Sequence, residues 1–223
     1  MAGSPATAAP IEAVPAYSAD LFADRLPLAR RFATLLVTDG MRRGLVGPRE
    51  SGRIWSRHLG NCAVVTELIP TDSRVVDVGS GAGLPGLVIA IRRPDVRVDL
   101  VEPLQRRVDF LTDTVRALDL GEQVRVVRGR AEEAAVIGAV SAAPVVTARA
   151  VAPLDRLVAW CLPLLEPEGR LVLIKGRSAA AEVGQHRDAL RKAGARDVRV
   201  VRCGTGLIEP ATTVVVARAR ETR

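Results

Sequence analysis

The sequence predicts an α/β protein: a mostly parallel, seven-stranded sheet wrapped by crossover helices, preceded by N-terminal helices and closed by an antiparallel hairpin. Three observations predict it. From Ser73 onward, short β-branched runs alternate with helical stretches, the rhythm of parallel strands joined by crossovers. Between Asp20 and Pro70 the apolar residues recur at helical spacing instead. Near the end of the chain two strand-like runs are joined by a glycine-containing link too short for a parallel crossover, so they must pair antiparallel.

Residues 1–18 are rich in Ala and Pro and poor in large apolar side chains, and are expected to be a flexible leader that cannot repay the entropy of ordering. Residues 19–70 read as a helical segment. Its apolar stripes run through Leu21, Leu26, Phe32, Leu35 and Leu36, then Trp55, Leu59, Val64, Val65 and Leu68, enough for two or three helices. Residues 71–223 carry the main domain, with strands expected at 74–78, 97–101, 124–128, 144–148 and 170–175. Helices are expected between them near 84–92, 104–118, 154–162 and 179–192, and the closing hairpin at 197–202 and 212–217.

At 223 residues the chain fits one α/β domain with a short extra element. Its 48% hydrophobic and 26% charged residues exclude disordered and fibrous classes. The net charge of +7 attracts polyanions, nucleic acid among them, although Lys occurs only at 175 and 192 and such an Arg skew also follows from GC-rich coding. Cys62, Cys161 and Cys203 are odd in number and widely spaced, which suggests neither a disulfide framework nor a zinc site and fits a reducing cytoplasm. No stretch has the features of a signal peptide or approaches the length of an apolar membrane span. A cytoplasmic monomer without metal is the expectation.

The run Asp77-Val78-Gly79-Ser80-Gly81-Ala82-Gly83-Leu84-Pro85-Gly86 leads from a buried strand through a glycine-rich turn into a helix. Glycines at 79, 81 and 83 tolerate positive φ and let backbone approach a ligand, the following helix offers N–H groups to an anion, and Pro85 suits its first turn. Roughly 20 residues later a strand ends in Glu102, placed to accept hydrogen bonds from both hydroxyls of a ribose. This Rossmann-like arrangement leaves two cofactors open, because residues 81–86 also match the G-x-G-x-x-G of a dinucleotide fold. Asp77, the G-x-G-x-G at 79–83 and the terminal hairpin favour S-adenosylmethionine on a class I methyltransferase scaffold. Neither His58 nor His186 stands in a recognisable setting for hydride transfer.

Ordered blocks across residues 50–180 resemble one family, the 16S ribosomal RNA guanine-N7 methyltransferases called RsmG or GidB. They are Trp55-Ser56-Arg57-His58-Leu59, the glycine loop ending Gly83-Leu84-Pro85-Gly86, and Glu102 with Arg106-Arg107-Val108-Asp109-Phe110-Leu111. Gly129-Arg130-Ala131-Glu132-Glu133, Ala148-Arg149-Ala150 and Leu173-Ile174-Lys175-Gly176 complete the set. Residues 34–52 depart from the pattern, lacking the family's Asn-rich segment. The resemblance implies methyl transfer from S-adenosylmethionine to N7 of a single guanine in 16S rRNA, with the small ribosomal subunit as partner. It also implies that Gly79 and Leu84 line the cofactor site, that Glu102 holds the ribose, that Ala131 and Glu132 lie beside the adenine, and that Arg149 is the active-site arginine.

Guanine N7 has a free lone pair and loses no proton on methylation, so alignment and charge placement matter more than a general base. The chain accordingly lacks the Asn/Asp-Pro-Pro-aromatic block used on exocyclic amines and a Pro-Cys nucleophile. Arg149, at the end of a strand, could hold the guanine or the cofactor carboxylate, and Lys175, ending the next strand, could meet an RNA phosphate. A salt bridge to a neighbouring acid is the alternative for both. Arg57, His58, Arg106, Arg107 and Arg130 are further candidates for phosphate contact. With only six aromatic residues the chain lacks a stacking platform, so recognition should rest on phosphate contacts and rRNA shape.

Overall fold

The computed structural model describes residues 11–149 and 152–220. Its strands are β1 (Arg74–Val78), β2 (Arg97–Glu102), β3 (Val124–Arg128), β4 (Ala143–Arg149), β5 (Leu165–Ile174), β6 (Arg196–Cys203) and β7 (Thr212–Arg218). They form one sheet in the order β3-β2-β1-β4-β5-β7-β6. The first five are parallel, and β7 runs antiparallel between β5 and β6, so the hairpin closes the sheet as the sequence predicts. Strand order reverses beside β1, where β2 lies to one side and β4 to the other. A crevice at the carboxyl ends of β1 and β4 follows from that reversal.

Adjacent residues of the strands face opposite layers. Val75 and Val214 pack with α4 (Gly86–Arg92), α5 (Gln105–Ala117) and the N-terminal helices, including α1 (Tyr17–Phe22), α2 (Leu26–Leu35) and α3 (Gly60–Val64). Val76 and Val215 pack with α6 (Ala134–Val140), α7 (Leu154–Cys161) and α8 (Ala179–Ala193). Residues 86–91 of α4 are all buried, because the N-terminal helices cover the side of α4 that the sheet leaves open. The outer strand β6 keeps Arg196, Arg199 and Arg202 exposed, which discourages pairing with a further strand.

The structure corrects several sequence expectations. α4 starts at Gly86 rather than Leu84, and Pro85, after a cis peptide bond, precedes the helix instead of filling its first turn. α6 was not expected. The N-terminal segment is more broken than two or three helices, with π-helical turns at Leu36–Gly40 and Ile54–Leu59 and 3-10 turns at Pro48–Arg53 and Val65–Leu68. Residues 1–10 of the expected leader lie outside the described residues. Glu12 ties the rest of that segment to the helices, accepting the N–H groups of Trp55 and Ser56 at 2.8 and 3.0 Å. Among the described residues no helix is long and apolar enough to cross a membrane, and no cluster of His, Cys, Asp and Glu could hold a metal ion.

Candidate functional site

The glycine loop is built from its own backbone. Gly79 and Ser80 donate to the carbonyl of Val101, stitching the loop to the end of β2. Gly79, Gly81 and Gly83 all adopt positive φ, at +69°, +58° and +88°. This geometry aims the N–H of Gly81 at Glu102 Oε2, 2.9 Å away, while Leu104 N–H donates to Glu102 Oε1 at 3.1 Å. Arg107 Nη1 stands 3.5 Å from the same carboxylate. Two backbone donors and one cation therefore fix an acid that is otherwise fully buried.

Beneath the loop, Asp77 Oδ2 accepts the N–H of Gly86 at 3.0 Å. A Cβ at residue 86 would stand 2.3 Å from Leu100 Cδ2 and 2.7 Å from Asp77 Oδ2, so only glycine lets α4 approach β1 this closely. The N–H groups of Leu87 and Ile89 are taken by the carbonyls of Gly83 and Pro85. The expectation that the helix offers its N–H groups to an anion therefore fails for these donors. Among the described residues Asp77 Oδ1 is buried without a hydrogen-bond partner, and burial pushes the carboxyl up to about 7.

Above the loop lies a cavity of about 590 Å³ lined by Gly79, Gly81, Leu84, Glu102, Arg107 and Arg149 among others. It adjoins a slot of about 170 Å³ that shares Gly79, Pro103 and Arg130 with it and is lined by Ala131, Glu132 and Trp160. On another side a second cavity of about 410 Å³ is bounded by Arg57, Asn61, Lys175, Gly176 and Glu182. Glu50, His58 and Arg149 border both the glycine-loop cavity and this second cavity.

Arg149, the last residue of β4, donates from Nη2 to His58 Nδ1 and from Nη1 to Cys62 Sγ at 3.4 Å. Since a guanidinium only donates, Nδ1 must accept, and Nε2 carries the proton that it gives to Glu50 Oε2 at 2.7 Å. Burial, and then the charge of Arg149, push His58 down to about 4, so the ring is neutral near neutral pH.

The structure thus gathers the predicted cofactor residues around one cavity and its slot, except Asp77 and Gly83, which support the loop from below. The predicted RNA contacts separate. Arg57, His58 and Lys175 border the second cavity, whereas Arg107 and Arg130 line the glycine-loop cavity. Lys175 realises the alternative reading, an ion pair with Glu182 at 2.7 Å. Arg106 is exposed on α5. Sequence reasoning missed Glu50 and Cys62: Glu50 lies in the divergent segment, and nothing near Cys62 in the sequence points to Arg149, 87 positions away.

A family model described as GidB, rRNA small subunit methyltransferase G, matches residues 25–211. A relative from Salinispora arenicola named ribosomal RNA small subunit methyltransferase G is 59% identical, over 89% of this chain and 83% of its own. One of the same name from Mycobacterium marinum is 53% identical, over 91% and 88%. Among solved structures, a putative S-adenosyl-L-methionine-dependent methyltransferase from Methanococcus maripaludis matches with a TM-score of 0.58 at 11% identity, over 86% of this chain and 94% of that one. An S-adenosylmethionine-dependent methyltransferase from Aquifex aeolicus matches with a TM-score of 0.51 at 20% identity, over 71% and 88%. These structural likenesses establish a shared fold.

Proposed function

Because the chain belongs to the GidB family of small-subunit rRNA methyltransferases, we propose that it transfers a methyl group from S-adenosylmethionine to N7 of one guanine in 16S rRNA, modifying the small ribosomal subunit. The observation that carries the cofactor half is buried Glu102, held by Gly81 and Leu104 N–H at the edge of the glycine-loop cavity. Each carboxylate oxygen has two lone pairs, so after these two bonds the acid retains acceptor capacity for two ribose hydroxyls.

The residues present fit S-adenosylmethionine. The glycine-loop cavity lies within the ~300–1,000 Å³ of ordinary small-molecule sites, and the adjoining slot has the narrow, largely apolar form that suits a purine. In this reading Gly79, Gly81 and Leu84 border the cofactor, Ala131 and Glu132 flank the adenine, and Asp77 and Gly83 hold the loop in shape. When bound, the cofactor supplies an electrophilic methyl group on a sulfonium. The protein's share is to bind, align and place charge, because N7 attacks through a lone pair and gives up no proton. Arg149 supplies a fixed cation beside the reacting groups. Arg57, Lys175 and Arg130, on the rims of the cavities, are the proposed contacts for RNA phosphates, Lys175 by exchanging Glu182 for the incoming anion.

The test is transfer of labelled methyl from S-adenosylmethionine to unmodified small subunits and to naked 16S rRNA. Label in 16S rRNA from either substrate is expected, and the stronger of the two identifies the preferred form. Label confined to small molecules, or turnover without RNA, would overturn the assignment of the acceptor.

A further inference from the structure

We infer that His58, braced by Glu50, is a positioning residue that fixes the guanidinium of Arg149 on a wall between the donor cavity and the second cavity, and that the second cavity receives the acceptor nucleotide. The inference rests on the methyltransferase reading above.

The kind of partner is what matters. An arginine is ordinarily oriented by a carboxylate, which holds the side chain but also cancels its charge. Arg149 has no carboxylate within ion-pairing distance among the described residues; its partners are an imidazole nitrogen and a fully buried thiol. Burial raises the Cys62 pKa, so the thiol stays protonated and neutral. Two neutral groups thus fix the direction of the guanidinium, and among the described residues no acid in direct contact with it cancels its charge toward whatever enters either cavity.

Glu50 acts one step removed. By accepting from Nε2 it selects the tautomer whose Nδ1 can accept from Arg149. Its own charge is shared with Arg57 and Arg53, whose nitrogens lie 3.5 and 3.7 Å from its oxygens. An acid placed directly against Arg149 would have oriented it equally well and weakened it toward a ligand.

The second cavity has the chemistry of a nucleotide site. Asn61 offers an amide suited to a base edge, while Lys175 and the exposed Arg57 border the cavity where phosphates would lie. With a purine in the slot beside Ala131 and a ribose at Glu102, the rest of the donor extends through the glycine-loop cavity, which is bounded elsewhere by Arg149. The shared wall is therefore where donor and acceptor meet.

The test compares His58→Asn, whose side-chain oxygen can replace Nδ1 as acceptor, with His58→Gln, whose amide can replace only the Nε2 donor to Glu50. Methyl transfer to unmodified small subunits and donor affinity by calorimetry are measured together. Donor affinity is expected within about twofold of wild type in both; kcat is expected to stay within about threefold in His58→Asn and to fall at least about tenfold in His58→Gln. Equal activity or equal loss in the two variants would overturn the positioning role. Gly176→Leu, which puts a bulky side chain at the border of the second cavity where a Cβ meets nothing within 4 Å, is expected to raise KM for small subunits at least about tenfold with donor affinity unchanged. An unchanged KM would overturn the acceptor site.

A wild-type protein that methylates no rRNA would defeat the acceptor reading, and the positioning role is then decided separately by nitrogen NMR. The chain has only two histidines, so His58 Nδ1 is readily assigned. Its resonance is expected to shift in Arg149→Ala, and an unmoved resonance would overturn the contact.

Discussion

Replacing Asp77 by Asn should change how stability depends on pH more than how large it is. The carboxyl is fully buried, accepts the Gly86 N–H at one oxygen, and among the described residues leaves the other without a partner. Burial raises its pKa from the ordinary 3.8 to about 7 in the folded protein. Because the folded state holds this proton more tightly than the unfolded chain, the associated stability is fully present below about pH 4 and is lost as pH rises toward 7. At ~1.4 kcal/mol per pH unit the full loss is about 4 kcal/mol, of which about 3 kcal/mol falls between pH 5 and 8. Asn keeps an acceptor for Gly86 and cannot ionise. Subtracting the variant's curve from the wild type's also removes groups with the opposite dependence, such as Asp95, which the hydrogen bond from Arg93 holds down at about 2. Urea unfolding of both proteins across pH 5–8 should show the wild type losing about 3 kcal/mol relative to Asp77→Asn. A difference constant within about 0.5 kcal/mol would mean that Asp77 is ionised throughout, and would refute the burial argument.

Gly86→Ala should cost about 1–3 kcal/mol in the same unfolding measurement, since its methyl group would collide with Leu100 and Asp77; an unchanged midpoint would show that α4 can shift freely. Glu102→Ala should weaken donor binding at least about tenfold by calorimetry, because it removes the proposed ribose acceptor and leaves Gly81 and Leu104 N–H without their partner. Arg149→Lys should lower methyl transfer at least about tenfold with stability little changed, since an ammonium lacks the fork that reaches His58 and Cys62 together; full activity would reduce Arg149 to a mere charge.

The sheet was readable because each of its strands carries a β-branched run, and the hairpin because the link between 203 and 212 is too short for a crossover. The glycine loop and Glu102 were readable because turn chemistry and a strand end are local features of sequence. α6 escaped notice: Ala134–Val140 contains only small and apolar residues and shows no amphipathic period. The broken N-terminal helices were equally hidden, since the apolar spacing that marks a helix does not distinguish α, π and 3-10 turns. The link from His58 to Arg149 joins residues 91 positions apart, and only the fold brings them together. The same limit hid the setting of Arg107, whose charge suggested phosphate but whose guanidinium stands beside Glu102 at the glycine-loop cavity.

The central claim is methylation of a guanine ring nitrogen in 16S rRNA, and the most direct measurement is to digest labelled rRNA to nucleosides and identify the product by mass spectrometry. The account predicts 7-methylguanosine from a single position, formed more slowly when Glu102 is replaced by Ala. Label on a ribose oxygen, an exocyclic amine or a carbon atom would contradict it.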